Sequence, residues 1–527
     1  MRCLAGMLLV ALAGSALADS GYVIRSAPPA PLVMSPPQLP DLAPYTATAV
    51  DAKLNAHQTA TARLVRMTGH PTLDEFVGRD GRLETWAARQ SQHPRAILVE
   101  GGAMSLPALA RLIGAPHLTE PEPGVFLLRL PLVVGQNAEL LVDGSVKEWR
   151  LSQDGGAFLV NDGLTVIRNT RLSGWSEARN GPAAFRRPDE FRPFVVSWGG
   201  AELYIVGSQV RSLGYAASKS YGVTISQYSP SVDVRLQRPA PTGWILDSQF
   251  SDLWFGFYCY EAQDVVIKGN RYRENIVYGI DPHDRSEGLI IAENETSGTR
   301  KKHGIIISRE VNHSWIFRNR SFDNALSGVM IDRQSTNNVV AFNLAYDNGS
   351  DGITIYESPG NLYWRNESFS NAKHGIRVRN SVDVKLYHNK AVANRFTGIY
   401  GHSKDLSDAD RNLELDPFDP RVSLIVVGGE LIHNDGGPLA IDQPLSVELF
   451  DVRLLAPVRQ LGIDLRGAMG EHQVEILDLL VRQRRAVIIE PDDGAPQEPG
   501  QRGARAEEPP ADPGKPPARL AATGEQG

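Results

Sequence analysis

The chain is poor in the features that would tie it down covalently or anchor it. It has 527 residues and two cysteines, Cys3 and Cys259. Cys3 lies in an N-terminal leader and is not in a lipobox context, so no lipid anchor is expected. In that leader Met1-Arg2 precedes an apolar run, and Ala16-Leu17-Ala18 precedes Asp19. This is the pattern of a secretory signal with a small-residue cleavage site, expected over residues 1–18. One thiol is left in the mature protein, which excludes an internal disulfide, so stability in an oxidising compartment must come from the core. No later stretch is long and apolar enough to span a membrane. A formal net charge of -7 offers no basic footprint for nucleic acid. The expectation is an exported, periplasmic protein.

Composition divides the rest. Residues 19–44 are proline-rich and read as an extended segment. Residues 45–125 read as an N-terminal cap with helices. Pro71-Thr72-Leu73-Asp74 begins one that carries apolar residues at helical spacing to Gln90, and Ser105 caps another over Leu106-Pro107-Ala108. Strand signals fill 126–470, a closing segment occupies 471–490, and 491–527 has eight prolines with seven acidic and four basic residues, a disordered composition.

What the chain does have is a clock. Gly256, Gly279, Gly304, Gly328, Gly352, Gly375 and Gly398 are spaced 23, 25, 24, 24, 23 and 23 residues apart. A fixed period of this size is the signature of a solenoid. After each glycine the pattern alternates apolar and outward residues, as in Gly304-Ile305-Ile306-Ile307-Ser308, which is strand periodicity. Asn270, Asn294, Asn319, Asn343, Asn366 and Asn389 keep step, as do Asn275, Asn324, Asn348, Asn371 and Asn394, with the register broken at Arg300. Asparagine and glycine suit left-handed corners. A leucine-rich repeat lacks its leucines here. The expected fold is all-β: a right-handed parallel β-helix with a small N-terminal helical cap region. Extra residues between Gly222 and Gly256 place an insertion near 228–241, and Ser403–Pro420 reads as a polar excursion.

Alternation puts the second and fourth residues after each glycine on the outside. The fourth positions read Tyr260, His283, Ser308, Asp332, Tyr356, Arg379 and His402. The second read Tyr258, Asp281, Ile306, Met330, Thr354, Arg377 and Tyr400. At the corner stand Glu261, Asp284, Arg309, Arg333, Glu357 and Asn380. Aromatic faces suit sugars and arginine suits carboxylates, so this strip fits a linear acidic polysaccharide. An outward polar stripe is also what any solvated solenoid face presents. One coil breaks the rule: in Tyr278-Gly279-Ile280-Asp281-Pro282-His283-Asp284 a proline takes an interior strand position beside two acids and a histidine, a local fault that points to function.

Asp281-Pro282-His283-Asp284, on this repeat and behind a signal peptide, resembles the motif of the periplasmic mannuronan C5-epimerases of alginate biosynthesis. The resemblance covers the mature chain to about Glu490. It implies removal of the C5 proton of a polymer-bound mannuronate and its return on the opposite face, with no cofactor and no metal. His283 is then the general base and Arg309 the carboxylate neutraliser. Asp281 orients the imidazole or holds a sugar hydroxyl, Asp284 holds the corner, and Tyr278 or a water is the proton donor. Asp284, Asp332, Arg333, Tyr356, Arg377 and Arg379 are candidates for contacts to neighbouring uronates. Lys301 and Lys302 read as solvated loop charges. The implied partners are a polyuronate and a periplasmic export complex.

Three other readings stay open. A polyuronate lyase shares the proton abstraction, and a non-catalytic scaffold of an export complex would use the same groove. A hydrolase with paired carboxylates leaves His283 without a task. The remaining histidines lack metal-ligand spacing.

Overall fold

The computed structural model describes residues 21–28, 34–55, 58–68, 70–73, 76, 94–414, 416–456 and 462–492. The leader, the helical expectation from Val77 to Gln90 and the tail from Asp493 lie outside them. Each regular coil contributes three short strands, for example Val266–Lys268, Arg271–Arg273 and Tyr278–His283. Stacked coils place these in three sheets of 15 strands, here sheets I, II and III: Val266–Lys268 belongs to sheet I, Tyr278–His283 to sheet II and Arg271–Arg273 to sheet III. Pairing is parallel through the coils. At the ends it turns antiparallel: Tyr22–Ala27 lies along Ala486–Pro491, Thr61–Arg66 along Arg95–Glu100 and Leu118–Glu122 along Val125–Leu128. The reversed strands cover sheet edges that would otherwise template aggregation.

The coils begin earlier than the expected boundary at 126. Ile97 already pairs in parallel with Leu132, and Gly102 with Ala138. Among its described residues the 45–125 segment is thus more strand than helix. The α-helices there are Ala47–Asp51 and Leu106–Ile113, the latter capped by Ser105 with Pro107 in its first turn. Pro71–Leu73 is a single 3-10 turn. The insertion before Gly256 carries the helix Pro230–Leu236. Among the described residues no strand lies between Ile399–His402 and Ser423–Val427.

The interior is one continuous apolar column, from Ile97 through Ile280, Ile305, Ile331, Ile355 and Val378 to Ile489. The repeat markers act on it by space and by hydrogen bonding, not by left-handed backbone. None of the seven repeat glycines is left-handed. A Cβ at Gly279 would sit 2.4 Å from the Gly304 carbonyl, and one at Gly352 would sit 1.8 Å from Ser368 Oγ and 2.7 Å from Asn371 Nδ2. Glycine is needed for space. The marker asparagines are not left-handed either; the residues before them are, such as Glu293, Arg318, Arg365 and His388. That corner turns each asparagine inward. Asn343 Nδ2 donates to Ile316 O at 2.8 Å and to Asn366 Oδ1 at 2.9 Å, and Asn319 Nδ2 donates to Asn343 Oδ1 at 3.0 Å. A buried amide ladder satisfies the corner backbone of coil after coil.

Candidate active site

The outer face of sheet II carries the strip in the register read from the sequence. Tyr260, His283, Ser308, Asp332, Tyr356, Arg379 and His402 stand opposite one another, coil to coil. Aromatic residues Trp254, Phe185, Tyr221, Phe255 and Tyr278 cluster along one edge of this face. At the other, the Ser403–Pro420 excursion folds back: Gln334 Nε2 donates to Pro417 O at 2.9 Å, and Arg333 lies 3.3 Å from Asp416. The strip is the floor of a trough.

Pro282 leaves its mark on the ladder. On the side of the following coil, pairing of Tyr278–His283 is made only at Ile280 and His283. The next residue, Asp284, is left-handed at φ 36°. The turn brings its side chain back onto the imidazole, so His283 Nδ1 bonds Asp284 Oδ2. The other oxygen, Oδ1, lies 3.6 Å from Arg309 Nη1. Burial alone would raise the Asp284 carboxyl, but His283, Arg309 and Lys219 outweigh it and hold the group well below the usual range. It is therefore an anion that binds two residues at once. Of the two acids in the motif, it is Asp284, expected only to hold the corner or meet substrate, whose carboxylate bonds the imidazole.

Asp281 is 2 % exposed, and its Oδ1 has no hydrogen-bond partner among the described residues. Burial pushes its carboxyl up to about 7, opposed by the charges of His283 and Lys302. Tyr278 lies at the opposite end of the same strand, where its hydroxyl accepts from Lys302 Nζ at 3.1 Å. Lys302 is thus not a solvated loop charge. A signal for it was present: the glycine spacing widens to 25 at this coil. Thr299 takes the asparagine place there, its Oγ1 donating to Asn324 Oδ1 at 2.6 Å, and the following Arg300 pairs with Asp252 at 3.2 Å. Lys219, whose Nζ sits 3.1 Å from the Tyr260 ring centroid, gave no signal, because it comes from an irregular segment.

Farther along, the candidates are less open than their positions implied. Asp332 is nearly buried, accepts from Ser308 Oγ at 3.2 Å and is raised by that burial. Arg333 pairs with Asp332 at 3.6 Å and with Asp416. Arg379 binds Glu357 at 2.7 Å and covers the Tyr356 ring at 3.6 Å. Arg377 Nε lies 3.3 Å from His402 Nε2, and its guanidinium carbon lies 5.5 Å from the Tyr356 ring centroid. His283, Asp284, Arg309 and Asp281 form one group, and Tyr356, Arg377 and Arg379 a second, three to four coils on.

Comparison with known proteins agrees with this fold. A family model described as a right handed beta helix region matches residues 255–412. The mannuronan C5-epimerase of Pseudomonas putida is 58% identical over 89% of this chain and 91% of its own length. The chain belongs to the mannuronan C5-epimerase family. The Azotobacter vinelandii mannuronan C5-epimerase AlgG is 54% identical over 90% of both chains. A crystal structure of the periplasmic alginate epimerase AlgG is 54% identical, with a TM-score of 0.78, covering 80% of this chain and 100% of that one. Among the described residues no helix is long and apolar enough to cross a membrane.

Proposed function

We propose that this family member converts mannuronate units to guluronate within a polyuronate chain by moving the C5 proton, and that the Asp284-bridged pair of His283 and Arg309 does the chemistry. The observation that carries this is the single carboxylate holding base and cation together. A C5 proton is weakly acidic while the adjacent carboxylate is charged. The Arg309 guanidinium neutralises that carboxylate and stabilises the enediolate-like intermediate. An anionic Asp284 accepts from Nδ1–H of His283, which leaves the Nε2 lone pair to take the proton. Asp281, raised to about 7, is protonated in a substantial fraction at neutral pH and can donate to a sugar hydroxyl. The returning proton comes from water or from Tyr278, whose hydroxyl Lys302 holds at the other end of the strand. Tyr356 and Arg377 contact neighbouring uronates, while Arg333, Arg379 and Asp332 shape the trough through their ion pairs.

The leader over residues 1–18 and the likeness to a periplasmic relative support a periplasmic location. Association with a polymer export complex rests on the family alone.

The test is incubation of the mature protein with polymannuronate in deuterated water. Guluronate carrying deuterium at C5, without unsaturated ends, is the expected product. Unsaturated ends would make the reaction an elimination. Polymer binding without turnover would leave a scaffold.

A further inference from the structure

The Ser403–Pro420 excursion is fastened to the trough by a buried ion network that the chemistry above does not use. Arg411 Nη1 binds Glu357 Oε2 at 2.7 Å and lies 3.7 Å from Asp416 Oδ2. Its guanidinium lies 5.6 Å from the Phe418 ring centroid, and its side chain is 9% exposed. Glu357 is more deeply buried, with a side chain 2% exposed. Its other oxygen, Oε1, accepts from Arg379 Nε at 3.2 Å and Nη2 at 2.7 Å. Arg379 in turn covers the Tyr356 ring. One carboxylate therefore holds two arginines, one from the floor and one from the excursion.

The charge balance explains why both are needed. A buried carboxylate is costly unless paired, and removing one partner of such a group leaves it under-compensated. Without Arg411, Glu357 loses its bond at Oε2, while the ties of Arg333, Gln334 and the bonds between Asn380 and the Lys404 backbone still hold the excursion. The geometry of Arg379 over Tyr356 then depends on a carboxylate no longer fixed from its far side.

We infer that Arg411 is a positioning residue for long substrates: through Glu357 it fixes Arg379 and Tyr356, and with them the grip of the trough on polymer well away from His283. Tyr356 stands three coils beyond His283 in register and Arg379 four. At about 4.8 Å per strand that is roughly 14 and 19 Å along the axis. Only a chain long enough to reach these residues feels the network. The inference rests on the epimerase reading of the site, with a polyuronate in the trough.

The experiment compares wild type, Arg411→Gln and Arg411→Lys on two substrates: trimannuronate and polymannuronate of more than about twenty units. For Arg411→Gln on the polymer, KM rises about tenfold or more with kcat within about twofold, the size expected from loss of one charge-assisted hydrogen bond. On the trimer its kcat/KM matches wild type, which also shows that the variant is folded. Arg411→Lys, keeping the charge and one bond to Glu357, recovers part of the polymer KM. Equal effects on trimer and polymer, or no effect on either, overturn the inference. A wild type that makes no guluronate from polymer fails the epimerase reading itself.

Discussion

Asp284 divides its two carboxylate oxygens between His283 and Arg309, which lie on successive coils 26 residues apart. The proposed base and the proposed charge-neutralising cation are thus set relative to each other by one buried anion. His283→Ala removes the proton acceptor and lowers kcat by about 10²–10⁴-fold. Arg309→Gln lowers it by about 10²–10³-fold, because the developing charge loses its cation. Guluronate formation by NMR reads both. Polymer binding that vanishes along with turnover would argue for a folding defect.

Asp284→Asn separates orientation from chemistry. The amide keeps the shape but loses the charge that fixes the imidazole tautomer and counters Arg309. The expected loss is in kcat, about 10²-fold or more by analogy with other carboxylate-oriented histidines, with KM little changed. A variant as active as wild type would release Asp284 from the mechanism.

With Arg309 neutralising the substrate, no divalent ion is required for that step. Excess chelator leaves the wild-type rate unchanged, and added calcium does not restore Arg309→Gln. A rate that collapses with chelator and returns with calcium would move the neutralising role to a metal.

Asp281 predicts a pH dependence of stability. Its folded-state carboxyl is raised to about 7 by burial, so the native state holds a proton that the unfolded chain has released above about pH 4. Stability falls as pH rises from about 4 through 7 and levels off above. Asp284 runs the other way: its contribution is present above about pH 4 and is lost as the pH falls further. Asp281→Asn abolishes the first slope alone. Thermal unfolding at pH 5 and pH 8 checks this, with the variant gaining on wild type at pH 8. Identical differences at both values would contradict a buried, raised Asp281.

The repeat markers make structural predictions of a different kind. Gly352→Ala forces a methyl against Ser368 Oγ and Asn371 Nδ2 and costs about 1–3 kcal/mol. Asn343→Ala takes the acceptor from the Asn319 backbone N–H and a donor from the Ile316 carbonyl, at about 1–3 kcal/mol for each buried group left unpaired. Denaturant midpoints measure both. A neutral Gly352→Ala would mean the coils separate more easily than their spacing implies.

Much of this was legible before any coordinates. The period of the glycines, the alternation after them and the column through His283 all appear in the structure in the expected register. Two marker explanations were wrong in mechanism while right in position. Composition suggests left-handed corners at the glycines and asparagines; they serve close approach and side-chain ladders, and the residues before the asparagines take the left-handed turns. A period fixes where a residue recurs, but not which of its properties the coil exploits.

Local chemistry determined the coil, its stacking register and the outward strip, because strand alternation and a two-dozen-residue repeat depend on near neighbours in the chain. Tertiary structure alone decided which side chains meet. The left-handed turn at Asp284 swings its carboxylate back onto His283, a contact that strand alternation does not show. The extra residue between Thr299 and Gly304 brings Lys302 to Tyr278. Arg411 reaches Glu357 across 54 residues because an irregular excursion folds back over the trough. Side-chain direction at corners and the path of aperiodic loops are set by packing against distant coils, and no repeat in the sequence encodes them.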